Sequence, residues 1–302
     1  MNKDNSNFPK DKTYRYDDAF KAKARAHQFA FCENILNDYY EEKYPQVILS
    51  PSAARQGLVF CDTYRNLILK KVKKFGTSAL FSNMLRSEHI PYNLFVPMEE
   101  DLENAKLLFN EIIGGNISSI THIYIEFAGY ADKAMYLNDG TSFDTYIEYL
   151  DDSNQKGAIG IEVKYTENGY SIGEKEEKDI KDTTGRYNQM TYKSGYFISD
   201  LDIQIFLKAH HLRQIWRNHL LGFSMIERGD IQHFHYIHLY PQGNTHFHQY
   251  AVPEYKSLLT PKGKDCFNAL TYEKLFEMMS QYFSSEKQKE WINYLYKRYM
   301  VK

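Results

Sequence analysis

The sequence predicts an α/β (α+β) fold, a mixed central sheet of about five strands flanked by helices, with further helices added at both ends. Three observations support this prediction. Apolar residues recur at helical spacing before residue 115 and after residue 200. Between these segments the pattern changes to β-rich runs bounded by Gly, Asn and Asp. The 302 residues, 43% of them hydrophobic, are enough for one large domain.

Helical patterns dominate the N-terminal part of the chain. The segment DDAFKAKARAHQFAFCENILNDYYEEKY spaces its apolar residues as an amphipathic helix does, and TYRNLILKKVKKFG and TSALFSNMLRSEH continue in the same way. DLENAKLLFNEIIGG is a further helix, closed by its two glycines. We expect residues 1–75 to form a helical N-terminal extension and residues 76–302 to form the main domain, packed together as one unit.

Strand patterns follow in the middle of the chain. THIYIEFAGY, SFDTYIEYL and AIGIEVKYT are β-rich, and QHFHYIHLYPQGNTHFHQYAV resembles a hairpin that turns at 242–244. A long helix is predicted at about 202–221, ended by Gly222. Two C-terminal helices are predicted at about 271–283 and 286–299.

Charge is distributed unevenly although the net charge is only −2. Residues 91–182 hold 7 Lys and Arg against 19 Asp and Glu, while residues 1–90 and 183–302 each carry an excess of five positive charges. This pattern suits a metal site that faces a polyanion, and ordinary surface variation is the alternative. No apolar run is long enough to span a membrane, so we expect a soluble cytoplasmic protein. Three scattered cysteines argue against disulfides and a zinc ribbon.

The segment SFDTYIEYLDDSNQKGAIGIEVKYTE predicts a hairpin of strands at about 143–150 and 158–165. We assume that residue 150 pairs with residue 158. Side chains alternate between the two faces of a strand, so three charged residues share one side and three apolar residues the other. The two sets are Asp144, Glu162 and Lys164 on the first side and Phe143, Ile161 and Val163 on the second.

Two carboxylates this close repel each other unless a cation lies between them. Mg²⁺ fits because it prefers oxygen ligands, and Asp144, Glu162 and the Val163 carbonyl could supply them. A metal-bound water would be the nucleophile, and Lys164 would orient or deprotonate it, which gives phosphodiester hydrolysis. The alternative is an exposed cross-strand salt bridge between Lys164 and Asp144, worth about 0.2–1 kcal/mol.

Asp144 followed by GIEVKYTE resembles the D…ExK motif of the PD-(D/E)XK nuclease superfamily. LRSEHIPYNLF, SFDTYIEY and QIWRNHLL resemble segments of bacterial restriction-endonuclease-like domains, so the resemblance covers roughly residues 80–222. Phe143 stands where the family name has Pro. The resemblance implies a restriction-endonuclease-like core and a metal-dependent nuclease that uses Mg²⁺ or Mn²⁺. DNA is the favoured substrate, and the active form could be a homodimer, as in many relatives.

The resemblance also implies further site residues. Superfamily members often add an acid from the first core helix or strand, for which Glu88, Glu111 and Glu126 are the options and Glu126 the first choice. The helix after the catalytic strands can lend a Gln or Arg to a phosphate. Its polar stripe, for which a solvated face is the alternative, and one residue nearby supply the nucleic-acid-binding candidates Arg213, Gln214, Arg217 and Arg186.

Two other interpretations remain open. Five histidines on the second predicted hairpin could bind zinc, but half-buried packing is the commoner role for histidines mixed with aromatics; they are His233, His235, His238, His246 and His248. The chain could also be a catalytically inactive nucleic-acid-binding protein or a structural protein that keeps a nuclease-like fold.

Overall fold

The computed structural model describes residues 14–38, 47–72, 79–169, 171 and 173–301, and the fold is given for these residues. The strands are β1 (Ile117–Phe127), β2 (Phe143–Asp151), β3 (Lys156–Val163), β4 (His233–Tyr240) and β5 (Phe267–Thr271). The helices that precede the sheet in the chain are α1 (Ala19–Phe31), α2 (Pro51–Arg55), α3 (Arg65–Lys71), α4 (Ala79–Ser82), α5 (Ile90–Phe95) and α6 (Leu102–Ile113). The later helices are α7 (Glu174–Lys181), α8 (Arg186–Ser194), α9 (Ile205–Lys208), α10 (His210–Arg228), α11 (Val252–Ser257), α12 (Pro261–Asp265), α13 (Tyr272–Tyr282) and α14 (Glu286–Tyr299).

The five strands form one mixed sheet in the order β1-β2-β3-β4-β5. The first three strands are antiparallel, and β4 and β5 continue the sheet in parallel with β3. A parallel connection needs a long crossover, which α7 to α10 provide between β3 and β4. The predicted α/β class, with a mixed sheet of five strands flanked by helices, is therefore confirmed, as are the two C-terminal helices.

Each face of the sheet is covered by a hydrophobic core. On one face, Ile161 of β3 belongs to the core that includes residues of α1, α5, α6, α13 and α14. On the other face, Tyr236 of β4 belongs to the core built with α8 and α10. Residues of the predicted N-terminal extension contribute to the first core, among them Phe29 and Ile68. No helix in the described part of the chain is long and apolar enough to cross a membrane.

The register of the β2–β3 hairpin differs by two residues from the one we assumed. Leu150 pairs with Lys156 and not with residue 158. The turn is tighter than expected because the Asp151 carboxylate accepts the amides of Ser153 and Gln155, each at 2.8 Å. Asn154 adopts the left-handed conformation that such a turn requires, with φ of 59°. An even shift does not exchange the two faces of the strands, so Glu162 remains on the face predicted for it.

The prediction of a second hairpin after residue 232 is wrong. Only its first half is a strand, β4, while His246–Ala251 forms a π-helical turn that leads into α11. β4 has parallel neighbours on both sides, β3 and β5, so no edge remains for a hairpin partner. The aromatic-rich segment HFHQYA, expected to be the second strand, lies on a helical turn.

The long helix begins and ends later in the chain than predicted, and the short helix α9 precedes it. α10 does not end at Gly222 but runs to Arg228, where Gly229 closes it in the left-handed conformation with φ of 83°. Gly222 is a packing residue, because a Cβ there would lie 2.0 Å from the Phe234 ring of β4. Its missing side chain lets α10 approach the sheet closely, and this contact positions the polar side of α10 described below.

Candidate active site

The three charged residues predicted on the β2–β3 hairpin lie in one cleft. Glu162 is near the end of β3, and Lys164 follows one residue after the strand. The Lys164 ammonium lies 2.6 Å from Glu162 Oε1, and both side chains are largely buried, with 12% and 2% exposed. Asp144, at the start of β2, lines the same cleft, whose volume is about 670 Å³.

Asp144 is held by the backbone of β3. The ladder between β2 and β3 ends at the pair Thr145–Ile161, and beyond it Asp144 Oδ2 accepts the Val163 amide at 2.7 Å. The carboxylate thus replaces a backbone acceptor at the end of the ladder. The prediction that Phe143 points away from this side is wrong. Its ring packs over Gly160 in the core that contains Tyr236, because Gly160 leaves room there.

Two side-chain amides of α10, one helical turn apart, donate hydrogen bonds to the Glu162 carboxylate. Gln214 Oε1 accepts from Lys164 Nζ at 2.7 Å, and the Gln214 amide donates to Glu162 Oε1. Asn218 Nδ2 donates to Glu162 Oε2 at 2.5 Å. Sequence reasoning missed Asn218, although it follows Gln214 by four residues and therefore lies on the same side of the helix.

The pKa values of Asp144 and Lys164 are both shifted by burial and by neighbouring charges. The enclosed position of Asp144, followed by the negative charge of Glu162, raises the pKa of Asp144 well above its usual range. Burial lowers the pKa of Lys164, but Glu162 and Asp144 raise it by more, so the net shift is upward. Lys164 is therefore an ammonium at neutral pH in this arrangement, which suits neutralising and orienting roles better than proton abstraction.

The donor set fits a magnesium-like cation. No group of three or more His, Cys, Asp or Glu is arranged as a metal cage in the part of the chain that the structure describes. Mg²⁺ does not need such a cage, since it commonly binds one or two carboxylates and keeps several waters. Asp144 and Glu162 supply two carboxylates, and two more line the cleft, Glu88 and Glu167. Glu88 Oε2 is buried without a hydrogen-bond partner among the described residues.

The expected additional acid, Glu126, does not line this cleft. It is exposed near the end of β1 with a left-handed φ of 55°, an irregular conformation at that point of the strand. Its charge acts instead on Tyr92, whose pKa burial and then Glu126 raise to about 12. Of the three acids considered from the sequence, Glu88 is the one at the cleft, because the turn before α5 brings it there.

The predicted phosphate-binding residues are placed differently from one another. Gln214 lies at the site, as described. Arg213 is fully buried and donates to the carbonyls of Phe206 and Leu207, each at 2.8 Å, at the end of α9. Arg217 is 3% exposed and ion-paired with Asp139. Arg186 is exposed at the start of α8 and lies outside the cleft. The structure does not place these three arginines where they could contact a phosphate in this cleft.

The histidines also do not form a metal site in the described residues. His238 is fully buried on β4, with its Nδ1 3.1 Å from the Tyr236 hydroxyl. Burial, and then the charge of Lys164, hold the pKa of His238 well below its usual range. His246 lies on the helical turn after β4, so the second strand of the hairpin that was expected to bring these histidines together is not formed.

Comparison with known proteins identifies the family of the chain. A family model described as the PD-(D/E)XK nuclease superfamily matches residues 15–301. This match covers nearly the whole chain, more than the resemblance seen in the sequence, and it includes α1 and α14. No curated protein and no solved structure matches the chain significantly.

Proposed function

Because the chain belongs to the PD-(D/E)XK nuclease superfamily, we propose that it is a divalent-metal-dependent nuclease that hydrolyses phosphodiester bonds in DNA. One observation carries this proposal. Asp144, Glu162 and Lys164, the residues that match the motif, converge in an open cleft and are held there by hydrogen bonds from the strand end and from α10. A structural salt bridge needs neither the cleft nor the second carboxylate.

The chemistry divides among these side chains. Asp144 and Glu162 would hold Mg²⁺ or Mn²⁺, with the Val163 carbonyl as a further oxygen; the bound metal supplies an activated water. Lys164 keeps its positive charge and stabilises negative charge that develops on the phosphate oxygens. Gln214 bridges Lys164 and Glu162 and so orients both groups. Asn218 holds the outer oxygen of Glu162.

Burial distinguishes this arrangement from an ordinary surface ion pair. The alternative predicted from the sequence was an exposed bridge between Lys164 and Asp144. In the structure Lys164 pairs with Glu162, and both are largely shielded from solvent. Burying charged groups costs desolvation free energy, and a surface ion pair does not carry this cost. Ionisable groups with perturbed pKa values concentrate at functional sites, so a buried ion pair that carries this cost in a cleft indicates a functional role.

The proposal is tested by DNA cleavage. Purified protein is incubated with supercoiled and linear DNA in Mg²⁺, in Mn²⁺ or in EDTA, with RNA as a parallel substrate. We expect nicking of DNA with either metal, none in EDTA, and loss of activity in Asp144→Asn. Asp152→Asn, at an exposed position of the neighbouring turn, is the matched control and should cleave normally. A folded wild-type protein that is inert on DNA under every metal condition would contradict the proposal.

The dimer implied by relatives that cut both strands remains part of the proposal. A dimer that brings two clefts together should convert supercoiled DNA directly to the linear form, whereas a monomer should accumulate nicked circles first. Light scattering at the concentrations of the cleavage assay gives the oligomeric state, so the two results can be compared.

A further inference from the structure

The cleft has a basic side that the proposed reaction does not yet use. Among the residues that line it, Lys21 and Arg25 come from α1 and Arg86 from the turn before α5. The carboxylates and Lys164 come from β2, β3 and the turns near them. Helix α1 therefore adds positive charge to a cleft whose other described residues supply the metal-binding acids.

Arg25 is a buried guanidinium that keeps one nitrogen without a partner. The residue is 3% exposed, and Asp17 accepts from its Nε at 2.6 Å and from its Nη2 at 2.8 Å. Its Nη1 is buried without a hydrogen-bond partner in the described structure. A buried donor without a partner is costly and calls for an explanation such as a ligand that the structure does not contain. Asp17 anchors Nε and Nη2 of the guanidinium and thereby fixes the direction of Nη1.

Lys21 stands one turn earlier on the same helix and also lines the cleft. Its backbone amide is satisfied by the N-cap residue Asp18 at 2.7 Å, but its ammonium has no carboxylate partner among the described residues. Arg86 is ion-paired with Glu88, and Lys164 donates to Glu162 and Gln214 within the candidate site. Lys21, which has no carboxylate partner among the described residues, and the unpartnered Nη1 of Arg25 are therefore the donors that α1 contributes to the cleft.

We infer that Lys21 and Arg25 form a subsite for a backbone phosphate of the nucleic acid next to the one that is cleaved, an inference that rests on the proposed function. An arginine whose Nε and Nη2 are anchored by Asp17 and whose Nη1 has no partner among the described residues, together with a partly exposed lysine, matches the chemistry of a phosphate group. The subsite gives α1 a role in substrate binding, although α1 lies more than a hundred residues before the catalytic strands in the chain.

The inference is tested by DNA binding without turnover. Fluorescence anisotropy of a short fluorescein-labelled DNA duplex is measured in EDTA over a series of salt concentrations. Lys21→Ala should weaken binding and reduce the slope of log K against log salt by about 1, as expected when one phosphate contact is lost. Lys23→Ala removes the same charge from an exposed position of the same helix and should change the slope by less than half as much.

Arg25→Gln provides an independent arm, with Arg55→Gln at an exposed position of α2 as its control and thermal unfolding to verify the fold. We expect Arg25→Gln to lower the slope and Arg55→Gln to leave it nearly unchanged. Equal slopes for Lys21→Ala and Lys23→Ala, or no binding by the wild type, would overturn the inference. Binding that depends on Lys21 in a protein that cuts no DNA would support the subsite and refute the proposed hydrolysis, so the two failures are distinguishable.

Discussion

Glu162 receives the most hydrogen bonds of the residues in the candidate site. Its Oε1 accepts from Lys164 and Gln214, and its Oε2 accepts from Asn218. The residue is 1% exposed, so water cannot replace a donor that is lost. The position of the carboxylate therefore depends on α10 as much as on its own strand.

Asn218→Ala should destabilise the protein and impair cleavage. Removing the amide leaves a buried, charged oxygen without its donor, which costs about 1.5–3 kcal/mol. Urea unfolding at neutral pH measures this loss, and Asn66→Ala, at an exposed position of α3, is the matched control. A stability equal to that of the wild type would show that Asn218 does not support Glu162.

Asp139 predicts a pH dependence of stability away from the catalytic cleft. Its carboxylate accepts from Arg217 at 2.9 Å, from the Thr141 hydroxyl at 2.9 Å and from Tyr187. Burial raises the pKa of Asp139, but Arg217 and these hydrogen bonds lower it by more, so the net shift is downward. With a depressed folded-state pKa, the carboxylate contributes stability above its unfolded pKa of about 3.9. That contribution is lost as the pH falls through the folded-state pKa.

Asp139→Asn should therefore be less stable than the wild type by about 1–3 kcal/mol at pH 7. The difference should shrink as the pH falls below about 4, because the wild-type carboxylate then becomes protonated. Urea unfolding of both proteins across this pH range provides the comparison. A difference that stays constant down to the lowest pH would contradict the assigned role of the ionised carboxylate.

At the scale of elements, the contact between α10 and β4 sets the distance from Gln214 and Asn218 to Glu162. Gly222 makes this contact possible, since any Cβ there would lie 2.0 Å from the Phe234 ring. Both amides lie on the same helix as Gly222. A change in the packing of this helix should therefore affect stability and the site together.

Gly222→Ala should destabilise the protein although alanine favours helices. Overpacking costs about 1–3 kcal/mol, whereas alanine in place of a helical glycine gains about 0.8–1 kcal/mol in helix propensity. Because the added Cβ would lie 2.0 Å from the Phe234 ring, we expect a cost near the upper end of the overpacking range, which exceeds the gain. Combining it with Phe234→Leu should recover part of the loss, with a coupling of about 0.5–3 kcal/mol in a double-mutant cycle. Additive effects of the two substitutions would show that they do not touch.

Elements with strong periodicity could be predicted from the sequence, and elements set by packing could not. The alternation of SFDTYIEYL and AIGIEVKYT identified β2 and β3, but the Asp151 turn moved their register by two residues. The five-residue strand β5 was missed because FNALT is short and contains residues with weak strand preference. The aromatic-rich segment HFHQYA was expected to be a strand, yet it folds as a helical turn, and β4 already has two neighbours in the sheet.

At the scale of the whole molecule, helices α1 and α14, far apart in the chain, meet beside the candidate site. Gln28 of α1 donates to the Arg298 carbonyl of α14 at 2.7 Å and to the Tyr165 hydroxyl at 2.9 Å. Tyr165 directly follows Lys164. The sequence could supply Asp144, Glu162 and Lys164 because they lie close together in the chain. It could not place Glu88, Lys21 or Arg25 in the cleft, since their approach depends on this tertiary packing.

Removing residues 1–75 should therefore destroy the fold and not yield a smaller active domain. Phe29, Phe60 and Ile68 are buried in the same core as Trp291 and Tyr299. Residues 76–302 expressed alone should lack a cooperative thermal transition, because that core would be open to water. A cooperative transition in the shortened protein would show that the N-terminal extension is a separable addition.

The most direct test of the proposed function is single-turnover DNA cleavage by Lys164→Ala beside Lys156→Ala. Both variants remove an ion-paired lysine from the β3 region, but Lys156 pairs with Glu148 and does not line the cleft. If Lys164 stabilises the charge that develops on the phosphate, its loss should slow Mg²⁺-dependent cleavage by about 10²–10³-fold. Lys156→Ala should cleave at nearly the wild-type rate. Equal rates for the two variants, with both proteins folded, would contradict a catalytic role for the Asp144, Glu162 and Lys164 site.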